Sequence, residues 1–356
     1  MNVWSNMNYG DGSGARALAV CLLVAACGGG DEASQAKSQP VVVTHETNAA
    51  ATAPTRVTKT KVARSRTWRG VTAIDVAPDG SVAQAAADGS VHFAAENGGA
   101  RRAMADATGT ATTALAFSAD GKQLVSVGRD SVARVWNVGS RTRPLELHGH
   151  EHPIRTVAVS ADGAWLASAG EETRVMVWNA ATGKLAKVLG GSHTGFVNTL
   201  AFSPDGRMLA SGDAAGNVVI WNLANGVPRQ RLVEHTDEVN SLAFSPDGRV
   251  LATAGEDGRV VLWSADAGQK LQVLSGHQAA VRALAFSRDG EWLATAGEES
   301  RVLVWDMATR TLSKTLATNA SVNTLAFDIR KRKDILLAGD EDGRVSKWDV
   351  ARGEAR

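Results

Sequence analysis

Val239–Trp263 reads Val-Asn-Ser-Leu-Ala-Phe-Ser-Pro-Asp-Gly, then Arg-Val, then Leu-Ala-Thr-Ala-Gly-Glu-Asp-Gly, then Arg-Val-Val-Leu-Trp. Three short apolar runs are separated here by turn residues. Asp247-Gly248 reverses the chain as hairpin chemistry requires, and Gly255 stops the second run, Leu251–Ala254. The third run, Arg259–Trp263, is apolar on both faces instead of alternating. A strand in a lone solvated sheet would alternate, so this one is sandwiched between neighbouring sheets. A fourth, more polar strand, Lys270–Leu274, follows the tryptophan.

The same text recurs along the chain. Six copies close on Trp136, Trp178, Trp221, Trp263, Trp305 and Trp348, with spacings of 42, 43, 42, 42 and 43 residues. A degenerate first copy carries Asp79-Gly80 and Asp88-Gly89, and counting back 42 from Trp136 lands on Ala94. Seven units between Gly70 and the C-terminus, each with several short strands, predict an all-β chain: a seven-bladed β-propeller of four-stranded antiparallel blades. A net charge of +1 with 21% charged residues points to neither nucleic acid nor a strongly acidic partner surface. The apolar content of 44% suits one large domain, 57–356, acting as a monomer.

A Gly-His pair precedes the first strand at Gly149-His150 and Gly276-His277, with looser matches at His193 and His235. Together with Ser-Pro-Asp-Gly and the closing Trp-Asn or Trp-Asp, this resembles the WD-repeat family over about five-sixths of the chain. The resemblance implies a buried relay of His, Ser or Thr, Asp and Trp in each blade. Blade five carries all four as His235, Thr253, Asp257 and Trp263. Blade three offers His150, Ser168, Glu172 and Trp178, and blade six His277, Thr295, Glu299 and Trp305, both with glutamate for aspartate. Blade four has Ala215 in the acid's place, while blades two and seven keep Asp130 and Asp342 but have Thr108 and Thr318 for histidine. A partly satisfied buried network costs stability, so blades one, two and seven are expected to be the softest.

After Trp348 only eight residues remain, too few for the outer strand of blade seven. The resemblance implies that an N-terminal strand, Val57–Val62, completes that blade and closes the ring. Around it lie Arg56, Lys59, Lys61, Arg64, Arg66 and Arg69 with no acid. These fit either a charged edge that resists sheet-to-sheet pairing or contact with anionic lipid headgroups.

Ala17–Ala26 is an apolar run preceded by Arg16 and followed by Cys27-Gly28. Ten residues cannot span a bilayer but fit the apolar core of a secretory signal. Small residues before a cysteine resemble the lipobox of bacterial lipoproteins. The resemblance implies a signal over 1–26, lipidation of Cys27, and a membrane anchor of several acyl chains. The same resemblance implies, from Gly28 after Cys27, the outer membrane, periplasmic side. Residues 27–56, rich in Gly, Ala, Ser, Thr and Gln, read as a disordered tether. The alternative is a chance apolar N-terminus on a cytoplasmic protein. Cys21 and Cys27 are the only cysteines, so the mature domain forms no internal disulfide.

Catalytic spacings are absent from the text: no Gly-x-Ser-x-Gly elbow, no His-Glu-x-x-His, no phosphate-cradling glycine loop and no Cys-x-x-Cys. The chain therefore reads as non-enzymatic, with no cofactor. His148, His150 and His152 alternate and could meet on one strand face, but His150 already has a relay slot, so no metal is expected.

In the WD-repeat family, partner contacts often come from three positions per blade near the central channel. Carried over, the residue after the first-strand valine gives Thr72, Thr113, Arg155, Asn198, Asn240, Arg282 and Asn323. The residue before that valine gives Gly70, Ala111, Pro153, Phe196, Glu238, Ala280 and Ser321. The residue before the relay acid gives Ala87, Arg129, Glu171, Ala214, Glu256, Glu298 and Glu341. Carboxylates with Phe196 beside them could receive a basic side chain of a protein or peptide partner. Equally, Arg155 and Arg282 lie 16 residues before Glu171 and Glu298 and could form ion pairs within their blades, worth about 0–1 kcal/mol each if exposed. The leading expectation is an interaction scaffold in the bacterial envelope. The alternative is a ligand-binding or hydrolytic propeller with a site in the central channel.

Overall fold

The structure, a computed structural model, describes residues 71–77, 81–86, 89–94, 102–105, 110–140, 142–327, 335–341, 345–352 and 354–355. The expected signal over 1–26, Cys27, the expected tether over 27–56, Val57–Val62, Thr108 and Asp342 lie outside the described residues. Among those described, the strands form seven four-stranded antiparallel sheets, each made of consecutive strands. They span 71–105, 112–147, 154–189, 197–233, 239–274, 281–317 and 322–355. The fifth sheet is typical, with strands Val239–Phe244, Val250–Gly255, Val260–Ser264 and Lys270–Leu274.

Each Ser-x-Asp-Gly turn is locked by its own side chains. Ser245 Oγ donates to Asp247 Oδ1 at 2.6 Å, which also accepts the Arg249 N–H at 3.0 Å. The Val250 N–H donates back to Ser245 Oγ at 2.9 Å. Gly248 supplies the required positive φ of 72°. The serine hydroxyl holds Asp120, Asp162, Asp205 and Asp247 below the usual carboxylate range.

The third strands of the third to sixth sheets are buried on both faces because sheets stack on either side of them. The apolar core is divided into clusters that each bridge successive sheets. One joins Val175 and Val177 to Leu209 and Trp221, and the next joins Ile220 and Leu232 to Leu251 and Trp263. The inner strands pack in chain order, Val71–Val76 on Thr112–Phe117 and so on to Val281–Phe286 on Val322–Phe327. In the first sheet Val82 faces Ala94 in the register that Leu124 has with Trp136, so Ala94 stands in the tryptophan position.

One expectation is corrected. The seventh sheet takes its outer strand from the C-terminus: Trp348 pairs with Ala355 and Asp349 with Glu354. A turn at Ala351-Arg352 brings the chain back at once, so eight residues suffice for a two-residue strand. Among the described residues no helix is long and apolar enough to cross a membrane.

Every sheet carries the same irregularity. The register slips by one residue between Val71 and Ala73, Thr112 and Ala114, Ile154 and Thr156, Val197 and Thr199, Val239 and Ser241, Val281 and Ala283, and Val322 and Thr324. The bulged residues are Thr72, Thr113, Arg155, Asn198, Asn240, Arg282 and Asn323, the first of the three rim positions. A bulge re-aims its side chain out of the sheet's alternation.

Candidate functional site

The relay is best seen in blade five. Trp263 Nε1 donates to Thr253 Oγ1 at 3.0 Å, Thr253 Oγ1 lies 2.8 Å from His235 Nε2, and His235 Nδ1 lies 3.0 Å from Asp257. These partners fix the tautomer: the hydroxyl donates to Nε2, and Nδ1–H donates to the carboxylate. The relay ties the third strand, the second strand, the loop before the first strand and the turn after the second into one hydrogen-bonded line.

Blade three repeats it with glutamate. Ser168 Oγ is 2.7 Å from His150 Nε2 and accepts from Trp178 Nε1 at 2.8 Å, while Glu172 Oε1 is 3.1 Å from His150 Nδ1. Burial pushes His150 below the usual histidine range, although Glu172 pulls the other way. Burial would raise Glu172, but the Glu151 N–H and His150 hold it below its ordinary value.

Blade six departs. His277 Nε2 meets Thr295 Oγ1 at 2.8 Å and Trp305 Nε1 donates to the same hydroxyl, yet Nδ1 is 3.8 Å from Glu299 and has no hydrogen-bond partner. Glu299 is held instead by Arg301 and by the N–H groups of Gln278 and Ala279. Burial, with Arg301 adding to it and Glu299 opposing, lowers His277 to about 4.

Blade four corrects the sequence reading. Its acid is not missing at Ala215: Asp213, fully buried, places Oδ2 at 2.9 Å from His193 Nδ1. Ser211 and Trp221 complete the line at 2.6 and 2.7 Å. Burial would raise Asp213, but His193 and Asn217 together hold it far below the carboxylate range. The signal was present in the text, as an aspartate two residues after the serine where other blades have it four after. In blade two Arg134 stands 2.6 Å from Asp130, and a cavity of about 10 Å³ lies between Thr110, Ser126, Asp130 and Trp136.

Five of the bulged residues, Thr113, Arg155, Asn198, Asn240 and Arg282, form a belt along the inner strands, each reaching into the next blade. Thr113 Oγ1 donates to the Ile154 carbonyl. Arg155 donates to Asn198 Oδ1 at 3.1 Å, and Asn198 Nδ2 to Glu238 at 3.3 Å. Asn240 Nδ2 donates to the Val281 carbonyl at 3.1 Å, and Arg282 to Asn323 Oδ1 at 3.0 Å. Asn198 and Asn240 are buried, which removes both as exposed contact residues. Their role as inter-blade ties was not read from the sequence, because only the bulge turns them sideways.

The other rim positions are adjacent in space. In blades two to seven the N–H of the third position donates to the carbonyl of the second, as from Glu256 to Glu238 and from Ala214 to Phe196. Glu171 pairs with Arg155 at 3.3 Å and Glu298 with Arg282. Glu256 accepts from Asn240 at 2.9 Å. Arg129 and Glu341 are exposed. Phe196 is the one large exposed apolar side chain described on this rim, and the Arg155 guanidinium lies 5.1 Å from its ring centroid. The rim's distinctive surface is therefore an aromatic ring with a stacked arginine, flanked by Glu171 and Glu238.

The histidine triplet does not converge. His148 pairs with Glu146 at 3.3 Å, His150 is inside the relay and His152 is exposed. Among the described residues no cluster of His, Cys, Asp and Glu could hold a metal ion.

A family model for the IFT122 first beta-propeller matches residues 171–356, just over half of the chain. WD domain, G-beta repeat models match 106–137 and 141–179, which are the copies closing on Trp136 and Trp178. No curated protein matches the chain. WD-repeat propellers are generally non-catalytic scaffolds that bind proteins. Seven four-stranded sheets, four of them carrying the histidine relay, and these two matches lead to one assignment: the chain belongs to the IFT122 first beta-propeller family of WD-repeat proteins.

Proposed function

We propose that this chain is a closed seven-bladed scaffold that captures a protein or peptide across the rim of blades three to five. The observation that carries the reading is Phe196: an aromatic ring left 45% exposed on a rim whose other long side chains are polar and mostly tied to one another. Large aromatics beside an arginine are the usual anchors of an interface. Glu171 and Glu238 at its sides favour a partner segment with an apolar residue next to a basic one. The belt occupies the channel-side polar groups in structural ties, which leaves the central channel poorly equipped for ligand chemistry. Phe196→Asp should abolish partner capture from cells while shifting the unfolding temperature little. Capture equal to wild type removes the rim of blades three to five from the reading.

The same proposal places the ring at a bacterial membrane, lipid-anchored through Cys27 on the tether 27–56. The support is the apolar run Ala17–Ala26 and the small residues before the cysteine. Wild type should fractionate with membranes and Cys27→Ser with the soluble phase. A soluble wild type returns the protein to the cytoplasmic alternative.

A further inference from the structure

Lys187, Gln230, Gln272 and Lys314 occupy one position of the repeat, and each donates to a carbonyl of the turn after the closing tryptophan in the next blade. Lys187 Nζ reaches the Ala224 carbonyl at 3.3 Å, Gln230 that of Asp266 at 3.4 Å and Gln272 that of Arg310 at 2.9 Å, while Lys314 reaches that of Val350. This second belt explains Lys187. It leaves unexplained what surrounds it at the seam of blades three and four, at the end of the blades away from the rim.

There an open groove of about 440 Å³ lies between Trp165, Met208 and Leu223, with Lys187, Arg207 and Arg229 around it. That volume is in the range of ligand-binding clefts. No carboxylate lines it. Arg229 is held in place by Asp266 at 3.0 Å, outside the groove, with its other nitrogen 4.0 Å from the Met208 sulfur. Arg207 is almost fully exposed, and its nearest acid, Asp205, is 3.9 Å away. The repeat itself does not require the arginine, since the positions equivalent to Arg229 are Ala186, Leu271 and Ser313. Those equivalent to Trp165 include Gln123, Met208, Val250 and Trp292, so only blade six repeats the tryptophan, and that blade carries Ser313 at the arginine's position.

We infer that this groove docks a short acidic peptide segment, one apolar side chain seated between Trp165 and Met208 and flanking carboxylates on Arg207 and Arg229. An apolar floor alone would accept many occupants. Arg207 and Lys187, with no acid lining the groove, select a negatively charged one; Arg207 can take a carboxylate bidentately, and Arg229, one edge of which is held by Asp266, can add a further hydrogen bond. This surface is separate from the rim and does not depend on it.

The test is a fluorescein-labelled peptide, Glu-Asp-Leu-Leu-Asp-Glu, titrated with the propeller and read by fluorescence anisotropy. Saturable binding is expected, at least tenfold weaker for the Gln/Asn counterpart and for the peptide with alanine in place of both leucines. Arg207→Glu combined with Arg229→Glu should weaken it at least tenfold with an unchanged unfolding temperature, and Phe196→Asp should leave it intact. Three results would overturn the inference: no saturable binding up to about 1 mM, equal binding to the charge-reversed variant, or loss in the Phe196 variant instead. Loss in the Phe196 variant would place the peptide on the rim.

Discussion

Asp213 holds His193 as Asp257 holds His235, from a backbone position that in blade five belongs to Gly255. Register makes the equivalence plain: Val197 pairs with Asp213 as Val239 pairs with Gly255. A Cβ on Gly255 would lie 2.8 Å from His235 Nδ1, so that position points straight at the imidazole. A short acid there, or glycine there with the acid two residues later, are two solutions to one requirement. Asp213→Ala leaves a buried imidazole without its acceptor and should cost about 3 kcal/mol. Asp213→Gly with Ala215→Asp copies blade five and should recover most of that loss. Urea unfolding of the single and double variants measures both, and a double variant no better than the single one contradicts the equivalence.

Acid should loosen the propeller in two stages. His277 titrates near 6.5 when unfolded and at about 4 when folded, so the folded state disfavours its proton. Its contribution is complete above pH 6.5 and is lost as pH falls toward 4, roughly 3 kcal/mol over that window. His150 acts in the same direction. Glu172, Asp213 and Glu299 have folded values below their ordinary ones, so their contribution is lost only below about pH 4.5. Denaturant unfolding from pH 7 to pH 4 should show falling stability, and His277→Gln should flatten the upper part of the fall.

Arg301 competes with His277 for Glu299. Removing it with Arg301→Gln frees a carboxylate oxygen for Nδ1, and the histidine should then titrate higher than about 4. NMR titration of the His277 ring protons reads this directly. An unchanged midpoint would mean that burial alone sets it.

The belt should contribute unequally. Asn240 is 4% exposed, and Asn240→Ala strands the Val281 carbonyl, at a cost of about 1–2 kcal/mol. Arg282→Ala breaks a tie that water can replace and should cost less than about 1 kcal/mol. Thermal unfolding ranks the two.

Much of the fold was legible because the repeat writes the same physical demand seven times. Ser245, Asp247 and Gly248 announce their turn by chemistry, and Val260–Trp263 announces burial on both faces by its lack of alternation. Phe196 was also legible as the apolar exception on a polar rim. Asn198 and Asn240 are legible from the repeat only as rim positions; that their side chains are buried is not, because a one-residue bulge has no signature in residue type and alone decides where they point. Asp213 was hidden for a related reason: motif spacing located the acid by count, whereas the imidazole accepts it from either of two backbone positions. The outer strand of the last sheet was misassigned by length, since a tight turn at Ala351-Arg352 lets Glu354–Ala355 pair where a longer strand had seemed necessary.

The most direct test of the scaffold reading is site-specific photo-crosslinking in intact cells, with the photoreactive residue placed at Phe196 in one strain and at Arg288, on a distant turn, in another. The account predicts one discrete crosslinked protein from the Phe196 position, absent from the Arg288 position and lost when Arg155→Glu is added beside it. The same pattern of crosslinks from both positions, or none from Phe196, would contradict it.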